Sequence, residues 1–367
     1  MKRVLLDEKE NAAGFLTQAP FLIKGENMKS VGVCLIGAGR AGMIHARNYV
    51  NKVPGAHMEA VADAVEEAAK AAAEELGINK YYTDYRDAVK DDAVDAVVVV
   101  SPTNLHKDIV VYCANAGKHI FCEKPMAMNT EECKMMSEAC EKNKVKLQIG
   151  FMRRFDTSYR KAKERLDAGE IGELVMIRSC TRGPSRPREW MYDIRKSNGI
   201  LAEVNSHDID TVRWIAGSNI KTMHVEAGNY RNKHAEERFP DYYDNVVMMG
   251  KLENGVQYVI DGAVYVKYGY DAQVELLGTR GCIRIGRAEA DSVVTVSDTA
   301  GMSRPFVSSW TELFKDAYLE EDKSFIKAIE EDRETLVTGF DGLMAVRAVE
   351  EGNSIITKNL NRRRNAE

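Results

Sequence analysis

Three residues of this chain have the types and neighbours that proton and hydroxyl chemistry needs: Lys124, Glu203 and His207. Lys124 stands in Glu123-Lys124-Pro125, between the apolar run His119–Cys122 and a proline that stiffens the turn. An ammonium held there can grip a hydroxyl and stabilise the alkoxide-like charge that develops as hydride leaves a carbinol carbon. A solvated loop lysine fits the same spacing. Glu203 and His207 are four residues apart, so one helix would set them on one face, where the carboxylate orients the imidazole and raises its basicity. A structural histidine beside a carboxylate carries the same signature. A metal site would need a third ligand that the neighbouring residues do not supply.

The elements that must position these groups announce themselves earlier in the chain. The apolar run Val31–Ile36 passes directly into Gly37-Ala38-Gly39-Arg40-Ala41-Gly42 and then into a helix-compatible stretch. Strand, G-x-G-x-x-G and helix together build a dinucleotide turn. The first glycine makes the turn, the second lets backbone approach a pyrophosphate, and the third packs helix on strand. The helix N-terminus offers its free N–H groups to the phosphates. About 20 residues on, a second apolar run ends in Asp63, placed to bind a ribose 2′-OH and to repel a 2′-phosphate, which favours NAD over NADP.

From 31 to 150 strand and helix patterns alternate, which predicts a parallel sheet with right-handed crossovers. The valine-rich run 93–100 ends in Ser101-Pro102-Thr103-Asn104-Leu105-His106, at a carboxyl strand end where ligands of open α/β sheets bind. Ser101, Pro102, Asn104, His106 and Glu123 therefore join Gly37, Gly39, Arg40, Ala41, Gly42 and Asp63 as candidate cofactor contacts. Helices are expected over 107–116 and 130–143, with Thr130 as N-cap. After 150 the character changes. A helix over 157–168 gives way to β-branched and aromatic runs, among them 246–252, 256–266 and 293–296, and Asn254-Gly255 predicts a type I′ hairpin. The fold class is α/β: an N-terminal Rossmann domain plus an α+β C-terminal domain with a large, mostly antiparallel open sheet. Residues 1–30 form an N-terminal arm, 31–150 the NAD-binding domain, 151–358 the substrate and oligomerisation domain, and 359–367 a basic tail.

Composition narrows the function classes. Fifty-one lysines and arginines against 56 acidic residues leave a net charge of −5, which gives no bulk attraction to nucleic acid or anionic membrane. No apolar run approaches the ~20 residues of a spanning helix. Asp7, Glu8 and Glu10 stand where a signal peptide needs a basic end, so a cytoplasmic protein is expected. Seven cysteines with no C-x-x-C pair point to reduced, mostly buried thiols and to no metal centre.

The glycine turn with His45, then Pro102 and His106, Glu123-Lys124-Pro125, Gly150-Phe151-Met152-Arg153-Arg154-Phe155, the stretch Glu203 to Asp210, and Thr338-Gly339-Phe340-Asp341-Gly342 resemble the glucose–fructose oxidoreductase, inositol dehydrogenase and rhizopine-catabolism (Gfo/Idh/MocA) family over residues 31 to 358. The resemblance implies NAD-dependent oxidation of a secondary hydroxyl on a cyclic polyol or sugar. It makes Lys124 the family lysine and His207 the acid–base histidine. It also implies a homo-oligomer, built through the open sheet. Inositol dehydrogenases usually carry aspartate four residues before that histidine; here it is Glu203.

Recognition of several ring hydroxyls needs converging polar groups on an aromatic floor. Arg186 to Asp193, with Trp190, Tyr192 and Asp193, supplies them just before the histidine segment, and Arg153 and Asn205 are further candidates. No run of basic residues demands a phosphorylated substrate. The glutamate and the aromatic loop tilt the expectation toward a sugar or glycoside oxidised at C3, with myo- or scyllo-inositol as the alternative. A dinucleotide-sensing regulator without chemistry is a third reading.

Overall fold

The computed structural model describes residues 30–286, 296–298, 301–303 and 306–364. Its first strand, β1 (Val31–Ile36), is buried at all six residues, as a strand with parallel neighbours on both edges must be. The chain then alternates through α1 (Gly42–Asn51), β2 (Ala56–Ala62), α2 (Glu66–Leu76), β3 (Tyr81–Tyr82), α3 (Tyr85–Val89), β4 (Ala96–Val99), α4 (Thr103–Asn115), β5 (His119–Glu123), α5 (Thr130–Lys142) and β6 (Leu147–Gly150). The six strands form one parallel sheet in the order β3-β2-β1-β4-β5-β6. Strand order reverses between β1 and β4, which opens a crevice above their carboxyl ends.

Local chemistry moved several boundaries. The helix expected from 107 starts at Thr103, drawing the loop after β4 into α4's first turn. The N-cap of α5 is Asn129, whose side chain accepts from Glu132 N at 2.9 Å, so Thr130 is the first helical residue instead of the cap.

A 3-10 turn (Met152–Phe155) leads to α6 (Thr157–Asp167), β7 (Leu174–Gly183), α7 (Glu189–Tyr192), α8 (Ile194–Ser197), α9 (Gly199–Glu203), α10 (Ser206–Ala216) and the strands β8 (Ile220–Gly228), β9 (Asn245–Leu252), β10 (Gln257–Val264), β11 (Asp271–Gly278) and β12 (Cys282–Ile285). These strands form a second sheet, ordered β12-β11-β7-β10-β9-β8, antiparallel except where β7 meets β10. The β9–β10 turn is not type I′. Only Gly255 is left-handed (φ 91°), and Leu252 N donates to Val256 O at 2.8 Å, so a glycine bulge closes a longer turn. The strand expected over 293–296 lies outside the described residues except Val296, which opens a small hairpin of β13 (Val296–Asp298) and β14 (Gly301–Ser303).

The chain closes with α11 (Trp310–Leu313), α12 (Lys315–Glu330) and α13 (Gly339–Arg364). α12 returns to the first sheet: Phe325 and Ile326 are buried in one cluster with Val33, Leu35, Tyr49 and Phe121. Helix α13 runs through Arg364, so the segment expected as a basic tail from 359 is helical up to that residue. The N-terminal arm lies outside the described residues, apart from Ser30. No helix among those described is long and apolar enough to cross a membrane.

Candidate active site

A cavity of about 900 Å3 lies between the carboxyl ends of β1, β2, β4 and β5 and the near side of the second sheet. On the first-sheet side it is lined by Gly37, Gly39, Arg40, Ala41, Asp63, Ser101, Pro102, His106, Glu123 and Lys124. Trp190, Glu203 and His207 line the opposite side. Asn104 is not part of the lining; its neighbours Thr103 and Leu105 are.

The first half of this cavity fits a dinucleotide. Gly37 has φ +103°, and a Cβ there would sit 2.6 Å from Val100 O. Around Gly39 nothing lies within 4 Å of where a Cβ would be, so bare backbone faces open space. A Cβ on Gly42 would meet Gly37 O at 2.1 Å, so that glycine presses α1 against the turn and does not face the cavity. No side chain caps the start of α1; Met43 N and Ile44 N donate to Gly39 O and Ala41 O at 3.0 Å, so an anion would meet the N–H groups of the glycine turn before them. The Asp63 carboxylate accepts from Ala38 N at 2.8 Å and Val65 N at 2.9 Å, a braced negative charge at the end of β2. Ser101 Oγ is buried without a partner at the end of β4. Arg40 packs its guanidinium 5.0 Å from the Trp310 ring centroid.

The three reacting candidates converge at the other end, by a route the spacing did not predict. Glu203 and His207 do not share a helix. α9 ends at Glu203 and α10 begins at Ser206, because Asn205 turns inward to donate to Asp208 at 2.8 Å and to Asp261 O at 3.3 Å. The expected carboxylate–imidazole bond is not formed: Glu203 Oε1 and His207 Nδ1 are both buried without partners. Lys124 Nζ donates to the Glu203 backbone carbonyl at 2.9 Å, and Lys124–Pro125 is a cis peptide. Burial, then the charges of Lys124 and Arg153, drive the His207 pKa well below 6.5. The imidazole is therefore neutral, with a proton-accepting nitrogen available. Burial raises the Glu203 pKa against the opposing charge of Lys124.

A second layer fixes the Lys124 turn. Glu123 accepts from Lys124 N at 3.0 Å and from His45 Nε2 at 3.1 Å, while His45 Nδ1 donates to Asp322 at 2.7 Å. Both ring nitrogens thus face carboxylates. Burial opposes charging His45, but Asp322 and Glu123 outweigh it and hold the pKa well above 6.5. Asn48 completes the set by donating to Asp322 at 2.8 Å. The buried His106 ring lies between Ser101 O (2.8 Å) and Pro125 O (3.0 Å), tying the β4 loop to the β5 loop, and burial pushes its pKa down. Sequence reading did not find Asp322, which lies 277 residues from His45 and carries no motif of its own.

Four residues expected to contact substrate are used elsewhere. Arg153 is fully buried, donating to Asp208 at 2.8 Å and Thr181 at 2.5 Å, so it shapes the floor under His207 through its charge alone. Asn205 holds the helix break. Tyr192 is buried against Phe239 and Tyr242, and Asp193 caps α8 and pairs with Arg195 at 2.9 Å. None of the four lines the cavity. Arg186, named only as the start of that stretch, and Arg188, an unnamed residue within it, do.

Comparison with known proteins bears on the chain as a whole. Residues 31–151 match the family model described as "Oxidoreductase family, NAD-binding Rossmann fold", and residues 159–284 match the "GFO/IDH/MocA C-terminal domain". The chain is 34% identical over 312 residues to myo-inositol 2-dehydrogenase of Thermotoga maritima, covering 85% of this chain and 92% of that protein. It is 34% identical over 307 residues to scyllo-inositol 2-dehydrogenase (NAD(+)) of Bacillus subtilis, covering 84% and 88%. Among solved structures, scyllo-inositol dehydrogenase from Lactobacillus casei with bound NAD(H) and scyllo-inositol superposes with a TM-score of 0.82 at 29% identity, covering 90% of this chain and 98% of that one.

Proposed function

The chain belongs to the Gfo/Idh/MocA family of NAD-binding oxidoreductases, and from that premise we propose that it oxidises a secondary hydroxyl of a cyclic polyol, inositol being the first ring to test. The relatives' substrates favour inositol over the glycoside that Glu203 and the aromatic loop suggested. The observation that carries the reading is the convergence of the Lys124 ammonium and a neutral, buried His207 on one cavity beside the glycine turn. A sensor without chemistry would have no use for that pair.

NAD, when bound, supplies the hydride acceptor. Its phosphates suit the Gly37–Gly42 turn and the N-terminus of α1, and its ribose suits Asp63. His207 takes the hydroxyl proton at Nε2, the ring nitrogen that packing has not sealed. The resulting imidazolium needs a counter-charge, and the Glu203 side chain, which lines the same cavity and keeps one oxygen unpaired, is the candidate to supply it. Lys124 holds the substrate oxygen and stabilises its developing charge. Its bond to Glu203 O sets its direction.

The test is NADH formation from NAD+ with myo-inositol, scyllo-inositol, free hexoses and glucosides. Turnover of glucosides without inositols would overturn the inositol assignment. We further propose that the protein self-associates through the outer face of the second sheet, where Val247, Met249 and Leu277 are exposed. Sedimentation as a monomer at micromolar concentration would refute this.

A further inference from the structure

The second-sheet wall of the cavity carries two guanidinium groups without counter-charges. Arg186 and Arg188 lie on the segment between β7 and α7 and line the same cavity as His207. Among the described residues neither guanidinium is in an ion pair or a side-chain hydrogen bond; Arg188 O accepts from Met191 N at 2.9 Å, and the charge of Arg186 acts on the Tyr265 phenol. The nearby carboxylates are committed elsewhere. Asp261 and Asp271 hold Arg182 at 2.8 and 3.4 Å, Glu189 holds Arg238, and Asp193 holds Arg195. Glu203, the one acidic residue lining this wall, already faces the charge of Lys124, which opposes the rise that burial causes in its pKa. Lys124 faces the wall as a third cation.

A neutral polyol needs balanced donors and acceptors, so it gives no reason to gather unopposed positive charge at the reacting end of a cavity. The dinucleotide does not supply one either. Its phosphates have their own site at the N-terminus of α1, on the opposite wall. Cationic surface continues past the cavity. Tyr265, one residue beyond the cavity-lining Val264, holds a left-handed backbone (φ 60°), as Lys144, Asn198 and Asp332 do elsewhere in the chain. Lys267 Nζ sits 3.2 Å from the Tyr265 ring centroid. Together with Arg231, these residues line a concavity of about 430 Å3 next along the chain from the substrate end.

We propose that the ring substrate carries an acidic substituent, a carboxylate or a phosphate, and that Arg186 and Arg188 bind it. The inference rests on the oxidoreductase reading above and leaves its reaction unchanged. No basic run marks this site along the chain, since Pro187 separates the two arginines and only the fold brings both to the cavity.

The test uses the full chain saturated with NADH, titrated calorimetrically with two matched pairs: myo-inositol against myo-inositol 1-phosphate, and glucose against glucuronate. Wild type is compared with the Arg186→Ala/Arg188→Ala variant. Both arginines are exposed, and a melting curve checks that the variant is folded. The expected result is that at least one acidic probe binds about tenfold or more tightly than its neutral partner, and that the variant loses this ratio. The preferred acid identifies the substituent. An Arg186→Lys/Arg188→Lys variant keeps part of the ratio, because charge survives without the planar fork. Equal affinity for acidic and neutral probes overturns the inference, as does a loss confined to NAD+ affinity. Oxidation of neutral inositol with no preference for acids removes the inference and keeps the function. Arginine-dependent binding of an acid with no ring oxidised keeps the site and removes the polyol reading.

Discussion

Lys124 Nζ donates to the Glu203 backbone carbonyl at 2.9 Å, joining residues 79 positions apart and tying the end of β5 to the break between α9 and α10. This one bond brings the two walls of the cavity into register at the reacting end. It uses the main chain of Glu203 and leaves the carboxylate free for another partner.

That freedom sets an expectation for Glu203. If its carboxylate stabilises the imidazolium of His207, Glu203→Gln lowers kcat by about 10- to 100-fold with little change in KM. Steady-state kinetics on the wild type's preferred substrate decide it. A rise in KM at constant kcat would place Glu203 on the substrate instead.

His207→Ala should cost about 10²–10⁴ in kcat while NAD+ binding persists. The pH profile gives an independent reading. Catalysis needs the neutral imidazole, whose pKa burial, Lys124 and Arg153 drive well below 6.5. kcat/KM should therefore stay flat from neutral pH down through about 6.5, losing rate only below the ordinary imidazole range. In Lys124→Met the acid limb of the residual activity moves upward, because one of the two cations is gone. A wild-type limb at or above 6.5 would contradict this.

Asp63→Ser should collapse the preference for NAD+ over NADP+ by about tenfold or more, since the charge that repels a 2′-phosphate is lost. The ratio of kcat/KM for the two cofactors measures it directly, and an unchanged ratio would assign selectivity to other groups.

Glu321 offers a stability test away from the chemistry. It is fully buried, both carboxylate oxygens lack partners, and burial, then the charge of Glu123, raise its pKa well above 4.5. The folded protein thus keeps a proton that the unfolded chain releases above about pH 4.5, so this group lowers stability as pH rises from there. Glu321→Gln should match wild type near pH 4 and exceed it by about 1–3 kcal/mol at neutral pH in urea unfolding. A less stable variant at pH 7 would show that the charged form is held by something else.

Much of the molecule could be read from local order. The glycine turn, Asp63 and the Glu123-Lys124-Pro125 corner are sites where a strand end and its turn residues define the geometry, and such signals reach only a few residues along the chain. The Asn254-Gly255 turn shows the limit even at short range: where type I′ was expected, a glycine bulge closes the turn, and Glu253 N and Asn254 bond to Asn219 O, Ser218 and Ala216 O of the preceding connection. The spacing of Glu203 and His207 assumed an unbroken helix, and the buried bonds of Asn205 broke it.

The sequence by itself determined the cofactor class and the parallel sheet, and marked Lys124 and His207 as candidates, all carried by near-neighbour pattern. Only the tertiary structure decided which polar groups face the cavity. It withdrew Arg153, Tyr192, Asp193 and Asn205 into internal bonds, turned Arg186 and Arg188 into the open, and brought Asp322 to His45. Those choices depend on pairing among groups far apart in the chain. A buried charge must find its partner wherever the fold places one, and no local spacing encodes that meeting.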